Sequence, residues 1–151
     1  MAAGRLDLIA AIYNGLSAIT VANGYFTDVV TVEKVLRDWN DSKTFPRPWL
    51  GFRPTVETYS YEMSHRIRCT MGLQIVGHLD VLPEPDNQYT AIEQLSDDII
   101  RALRQSILAA GCAESITLQQ TETTEGDASA VESASISMLF NLIYYRQEPI
   151  T

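Results

Sequence analysis

The sequence predicts a single α+β domain in which two helices cover one face of a single, mainly antiparallel sheet. Two stretches place apolar residues at every third or fourth position, which is typical of amphipathic helices. The stretches between and after them are rich in β-branched residues and alternate apolar with polar side chains, which is typical of strands with one covered face. Each helix needs a partner for its apolar face, so the order α-β-β-β-α-β-β predicts that both helices pack on the sheet.

Size and composition fit one soluble domain. The chain has 151 residues, of which 46% are hydrophobic and 20% charged, and a chain of this length buries roughly 70% of its unfolded surface in one core. Apolar runs such as LIAAIY are too short to cross a bilayer, and the first residues lack the pattern of a signal peptide. The two cysteines, Cys69 and Cys112, predict no disulfide framework. We therefore expect a soluble protein in a reducing cytoplasm, with no membrane partner.

The net charge of −8 argues against a protein that binds nucleic acid, because such binding needs a basic face. Two interpretations of the acidic surface stay open. It can serve solubility alone, or it can repel DNA or meet a basic partner.

The two helices are predicted from their apolar stripes and their end signals. The first runs from Leu6 to Ile19 and is ended by Asn23-Gly24. The second runs from about Thr90, which has capping-box spacing to Glu93, to Ala110, with a stop at Gly111. The predicted stripes are Leu6, Ile9, Ile12, Tyr13, Leu16 and Ile19 in the first helix, and Ile92, Leu95, Ile99, Leu103 and Ile107 in the second.

Five strands are predicted in two groups. Phe26 to Val35 is the first strand, and WLGFRPTVETYSYEM and RIRCTMGLQIVGHLDV form a hairpin that turns at Ser64 and His65. SITLQQTETTEGD and ASAVESASISMLFNLIYYRQ form a second hairpin that turns near Glu125-Gly126-Asp127. In the third strand, alternation places Ile67, Cys69, Met71, Leu73, Ile75 and Leu79 on one side and Arg68, Thr70, Gln74, His78 and Asp80 on the other.

The length of the last strand predicts a projecting β-hairpin. Ala130 to Arg146 would span roughly 55 Å as one strand, whereas a globule of this size is roughly 40 Å across. The apolar half, ISMLFNLIYY, belongs to the core, and Gln119 to Ser135 is predicted to form an arm outside it. An isolated ribbon is marginal in water, so such an arm is expected to lie against another subunit. The alternative is a surface loop with no role.

The stretch Asp38 to Pro54 combines both tryptophans with two arginines and is the predicted partner surface. Tryptophan and arginine are enriched at the energetic centres of interfaces, which favours contacts by Trp39, Arg47, Trp49 and Arg53. Trp49 and Phe52 have an alternative as core residues at the start of a strand.

The sequence contains no recognisable catalytic or cofactor-binding motif. A nucleophile elbow, a P-loop and a dinucleotide fingerprint are all lacking, so no enzyme activity and no cofactor are predicted. Glu62, His65, Cys69 and His78 are the one group that suggests a metal site, but Cys69 and His78 point to opposite faces of a strand and lack zinc spacing. Asp97-Asp98 is predicted to be a solvated helix face.

Taken in order, these segments resemble the tail terminator proteins of long-tailed bacteriophages. The resemblance covers an N-terminal amphipathic helix, then YFTDVVTVEKV, PRPWLGFRP, RIRCTMGLQIVGH, a helix entered through YTAIEQLSDDIIRAL, and ITLQQTETTEGDASAVESASISMLFNLIYYR. It implies a hexameric ring that caps the finished tail tube, ends its polymerisation, and joins the tail to head-completion or neck proteins. It also implies that genome DNA passes through the lumen without specific binding, and that the protein is assembled in the host cytoplasm and resides in the virion tail.

Within this resemblance, the arm acquires two possible roles. Glu122, Glu125, Asp127 and Glu132 would form an acidic rim or lumen that keeps DNA from adhering, or the arm, through Thr121 and Thr123, would meet the neighbouring subunit. The alternatives to a tail terminator are another neck or tail-completion protein, an unrecognised small hydrolase or metal-dependent enzyme, and a monomeric ligand-binding domain.

Overall fold

The described part of the chain folds as an α+β domain with two α-helices and one mixed five-stranded sheet. The computed structural model describes residues 4–37, 46–63, 66–80, 85–125 and 133–147. A 3₁₀ helix, Val21–Asn23, follows the first helix, and a π-helical turn, Arg104–Leu108, continues the second. The principal elements are α1 (Arg5–Ser17), β1 (Thr31–Glu33), β2 (Trp49–Met63), β3 (Arg66–Asp80), α2 (Pro85–Leu103), β4 (Ser115–Glu125) and β5 (Ser133–Gln147).

The strands lie in the order β1-β2-β3-β5-β4, so β3 and β5 form the centre of the sheet. β1 pairs with β2 in parallel, and the other three pairs are antiparallel. The coarse prediction of one sheet with two helices is therefore confirmed, but the sheet is mixed. The first strand is also shorter than the predicted Phe26 to Val35, because the backbone of residues 26–30 bonds elsewhere.

The core lies between the helices and the helix-side face of the sheet. β3 alternates as predicted, and its Leu73 lies directly opposite Phe140 of β5, with both side chains buried. The predicted stripe of the second helix is buried along its whole length, from Ile92 to Ile107. Gly111, at φ 76°, follows the π-helical turn in the left-handed conformation that suits glycine, as the predicted stop requires.

The structure corrects the predicted first helix in its buried stripe and in its end. Leu8, Ile12 and Leu16 are buried, whereas the predicted stripe residue Leu6 is 85% exposed. The helix ends at Ser17, and Asn23-Gly24 instead ends the short 3₁₀ helix, with Gly24 at φ 89°. Leu6 lies in the first turn of the helix.

The second helix starts five residues before the predicted Thr90, at Pro85, a residue type favoured in the first turn. Its carboxylate Asp98 is 1% exposed and accepts hydrogen bonds from the backbone N–H groups of Phe26 at 3.1 Å and Thr27 at 2.9 Å. The prediction of a solvated Asp97-Asp98 face is therefore wrong for Asp98. Its carboxylate satisfies two backbone donors of the loop before β1, which fastens that loop to α2.

The structure does not confirm a projecting hairpin over Gln119 to Ser135. Residues 119–125 lie in β4, and Ser133–Ser135 begin β5, where they pair with Asp80, Leu79 and His78 of β3. The length estimate assumed a compact globule, but β3 and β5 each have 15 residues and run side by side for roughly 50 Å. The long strand is therefore matched by an equally long neighbour, and residues 126–132 lie outside the described chain.

Candidate interaction site

The sheet face opposite the helices, here called the outer face, holds a buried polar network around Trp49. The Trp49 side chain is fully buried, and its ring stacks on His78 with 5.3 Å between ring centroids and 23° between ring planes. Its indole N–H donates to Glu33 Oε1 at 2.8 Å. Gly51 keeps this region close-packed, because a Cβ there would collide with the Val35 carbonyl oxygen and the Trp49 ring.

Arg37 and Glu33 form the charged part of this network. The guanidinium donates from Nε to Glu33 Oε1 at 3.1 Å and from Nη2 to Oε2 at 3.2 Å, a bidentate arrangement. The hydrogen bond from Arg37 holds the pKa of Glu33 below its ordinary value, and the bond from Trp49 acts in the same direction, while partial burial opposes them. The carboxylate therefore connects the segment after β1 to the first residue of β2.

His78 connects three elements through its two ring nitrogens. Nε2 lies 2.7 Å from the Arg37 carbonyl oxygen, and Nδ1 lies 2.7 Å from Ser135 Oγ. Because a carbonyl only accepts, Nε2 carries the hydrogen, and in the neutral ring Nδ1 accepts from the Ser135 hydroxyl. Ser135 lies in a regular strand rather than at a sharp turn, so this pair fastens β3, β5 and the segment after β1 to one another.

Arg47 is held inside the subunit. Its Nη1 donates to Asp80 Oδ1 at 2.9 Å, and its side chain is 9% exposed, whereas that of Asp80 is 60% exposed. The neighbouring carbonyl of Pro46 accepts from Thr31 Oγ1 at 2.9 Å, and that of Pro48 accepts from Val30 N at 3.0 Å. This segment supports the edge of the sheet beside β1.

The predicted interface residues therefore fall into different environments. Trp49 and Phe52 are buried, in agreement with their alternative as core residues. Arg53 is exposed on β2, and Thr121, Glu122 and Thr123 are exposed on β4. Glu125 ends β4, and the structure does not describe Trp39, Asp127 or Glu132.

Two long strand segments lie at opposite margins of the sheet. β1 pairs only with Trp49–Gly51. On the side of β2 that faces away from β3, no other strand in the described chain pairs with residues 53–63, here called the β2 edge. β4 forms the other margin, here called the β4 edge. Its side that faces away from β5 also lacks a paired strand among the described residues. Strands at the edge of a sheet present backbone groups that can pair with a further strand.

A second cluster lies on the helix-side face near the end of β5. The buried Tyr144 hydroxyl donates to Glu57 Oε1, and Arg5 Nε contacts Glu57 Oε2 at 3.2 Å. Burial raises the pKa of Tyr144 strongly, and the hydrogen bond to Glu57 adds to this. Burial also raises the pKa of the Cys69 thiol. Sequence reasoning missed this cluster, because Glu57 joins the core side only after the irregularity between Pro54 and Glu57 shifts the β2 register.

Of the residues weighed as a metal site, His65 lies outside the described residues, and the structure does not bring Cys69 and His78 together. Cys69 faces the helices and His78 the outer face, and the described residues contain no cluster of three or more histidine, cysteine or acidic side chains arranged around a common point. None of the described helices is long and apolar enough to span a membrane.

No protein-family model matches the chain, and no curated protein matches it.

Proposed function

We propose that the protein is a structural component of a phage tail, which assembles into a hexameric ring, caps the tail tube and ends its polymerisation. The observation that carries this proposal is a sheet with two different exposed edges on opposite sides. When one surface of a subunit binds a different surface of the next, the contact repeats around an axis and can close into a ring. The sixfold symmetry and the tail come from the sequence resemblance.

The proposal assigns the partners by position on the ring. One ring face meets the tail tube protein, the other meets a head-completion or neck protein, and the DNA passes through the lumen without specific binding. Exposed Glu122 supports an acidic lumen or rim, because like charge keeps DNA from adhering. Glu125, Asp127 and Glu132 complete that rim in the proposal.

The predicted contact residues then divide by role. Arg53, Thr121 and Thr123 are exposed and are proposed to touch another subunit or a tail partner. Arg47 and Trp49 bond within the subunit, to Asp80 and Glu33, and are proposed to act by stabilising the sheet beside β1 rather than by direct contact.

Two measurements test the proposal. Native mass spectrometry should give six times the mass of one chain, and negative-stain microscopy should show sixfold rings. When the protein is added to a polymerising phage tail tube protein, tubes should become shorter and carry a ring at one end. A monomer at all concentrations would exclude the ring, and rings that leave tube length unchanged would exclude the capping role.

A further inference from the structure

The two edges run in directions that suit each other. β2 and β5 run one way and β3 and β4 the other, because each neighbouring pair from β2 to β4 is antiparallel. If a second copy continues the sheet, its β2 edge lies antiparallel to the β4 edge of the first. Antiparallel pairs form the more stable ladder per residue.

The side chains along both edges are suited to strand pairing. β4 contributes exposed Thr117, Thr121 and Thr123, and β2 contributes exposed Thr58 and Tyr59. Threonine and tyrosine are favoured in strands, and a threonine pair directly opposite contributes to sheet stability. Long exposed edges of this composition act as templates for another strand.

One charged residue on each edge sets a register between the copies. Gln74 of β3 and Ser137 of β5 share the outer face, because Gln74 Nε2 donates to Ser137 Oγ at 3.1 Å. Arg53 is opposite Gln74, and Glu122 is opposite Ser137, so Arg53 and Glu122 also project from the outer face. Both are exposed and carry opposite charges.

Aligning Arg53 with Glu122 aligns the rest of the two edges. Thr58 lies five residues after Arg53, and Thr117 lies five residues before Glu122, so the two fall opposite each other in the antiparallel pair. Both again project from the outer face, since their partners are Thr70 and Asn141. Each edge has one register shift in this interval, between Pro54 and Glu57 and between Leu118 and Gln120, so the two irregularities offset each other.

We propose that the β4 edge of one copy pairs antiparallel with the β2 edge of a second copy, with Glu122 facing Arg53 and Thr117 facing Thr58. Charged residues and prolines in an edge strand also disfavour its pairing with another strand. Here Arg53 and Glu122 have opposite signs, and Pro54 lacks a donor only at the start of the β2 edge, which leaves residues 57–60 to pair with residues 115–118 of β4. Closure of this contact into a six-membered ring rests on the proposed function, but the contact itself requires only a second copy.

A charge swap tests the salt bridge between copies. Arg53→Glu places two carboxylates opposite each other, and Glu122→Arg places two guanidinium groups there, so each single variant should raise the concentration for half-assembly at least about tenfold. The double variant Arg53→Glu with Glu122→Arg restores the opposite charges and should recover most of the assembly. Circular dichroism should show the same fold for all three variants, because both side chains are exposed. Arg104→Glu, at an exposed position of the π-helical turn rather than on an edge strand, is the matched control and should leave assembly unchanged.

A cysteine pair tests the register directly. In a Cys112→Ser background, the double variant Thr58→Cys with Thr117→Cys should form a disulfide-linked ladder of oligomers on mild oxidation, while each single variant should form none. Two strands separate these positions within one subunit, so the disulfide can form only between copies. Dimers from either single variant would show that identical edges meet, and would overturn the proposal.

The outcomes separate the contact from the tail function. A protein that forms rings but shows neither charge rescue nor a disulfide ladder would refute the edge pairing and leave the ring intact. A disulfide ladder together with unchanged tail tube length would support the edge pairing and refute the capping role.

Discussion

The helix-side face and the outer face of the sheet are stabilised by different kinds of interaction. On the helix side, β3 and β5 bury aliphatic, sulfur-containing and aromatic side chains against α1 and α2, and their stability comes from removing apolar area from water. On the outer face, Trp49 and His78 are equally buried, but each also makes hydrogen bonds to segments that come from elsewhere in the chain.

The difference between the faces explains which features of the fold can be predicted from the sequence. An apolar face repeats with the period of its strand or helix, whereas a polar network joins residues that are far apart in the chain. His78 meets Ser135 and the Arg37 carbonyl across 57 and 41 positions.

The largest effect is expected from a cavity in the helix-side core. Leu73→Ala or Phe140→Ala should lower the free energy of unfolding by about 2 to 5 kcal/mol, because both side chains are fully enclosed and directly opposite each other. Thr70→Ala, on the outer face of the same strand, is the control and should cost less than about 0.5 kcal/mol. Urea unfolding followed by circular dichroism measures all three, and equal losses at Thr70 and Leu73 would contradict the assignment of faces.

The confirmed part of the prediction follows from this contrast. The alternation of β3 and the stripe of α2 identify buried residues correctly, because burial on one side of a regular element imposes its period on the sequence. The stripe of α1 is shifted, with Leu8 buried and Leu6 exposed. The candidate site was predicted only as residue types, since the bonds of Trp49 and Arg47 depend on loop positions that no local pattern encodes.

A smaller effect is expected where a polar group fastens a loop to the core. Asp98→Ala should destabilise the protein by about 1 to 3 kcal/mol, because two backbone N–H groups of Phe26 and Thr27 lose their acceptor. Asp97→Ala is a matched control on the next residue, whose side chain is exposed, and should change stability by less than about 0.5 kcal/mol. Hydrogen exchange of the Phe26 and Thr27 amides measures directly whether Asp98 protects them. Protection unchanged in Asp98→Ala would show that Asp98 does not hold this loop.

The smallest effect, and the one specific to the outer face, is a pH-dependent contribution from Glu33. Its pKa is lowered in the folded protein, chiefly by the hydrogen bond from Arg37, so its carboxylate binds a proton less readily folded than unfolded. By linkage, its stabilising contribution is fully present above the ordinary carboxyl pKa of about 4.3 and is lost as the pH falls through the lowered folded value. Wild-type protein should therefore exceed Glu33→Gln in unfolding free energy by a constant amount between pH 6 and 8, and the difference should shrink below about pH 4. Thermal unfolding of both proteins across this range measures it, with Glu93→Gln, an exposed glutamate on α2, as the control. A difference that stays constant down to the lowest accessible pH would show that the Glu33 carboxylate gains nothing from Arg37 and Trp49, and that the outer face is stabilised by packing alone.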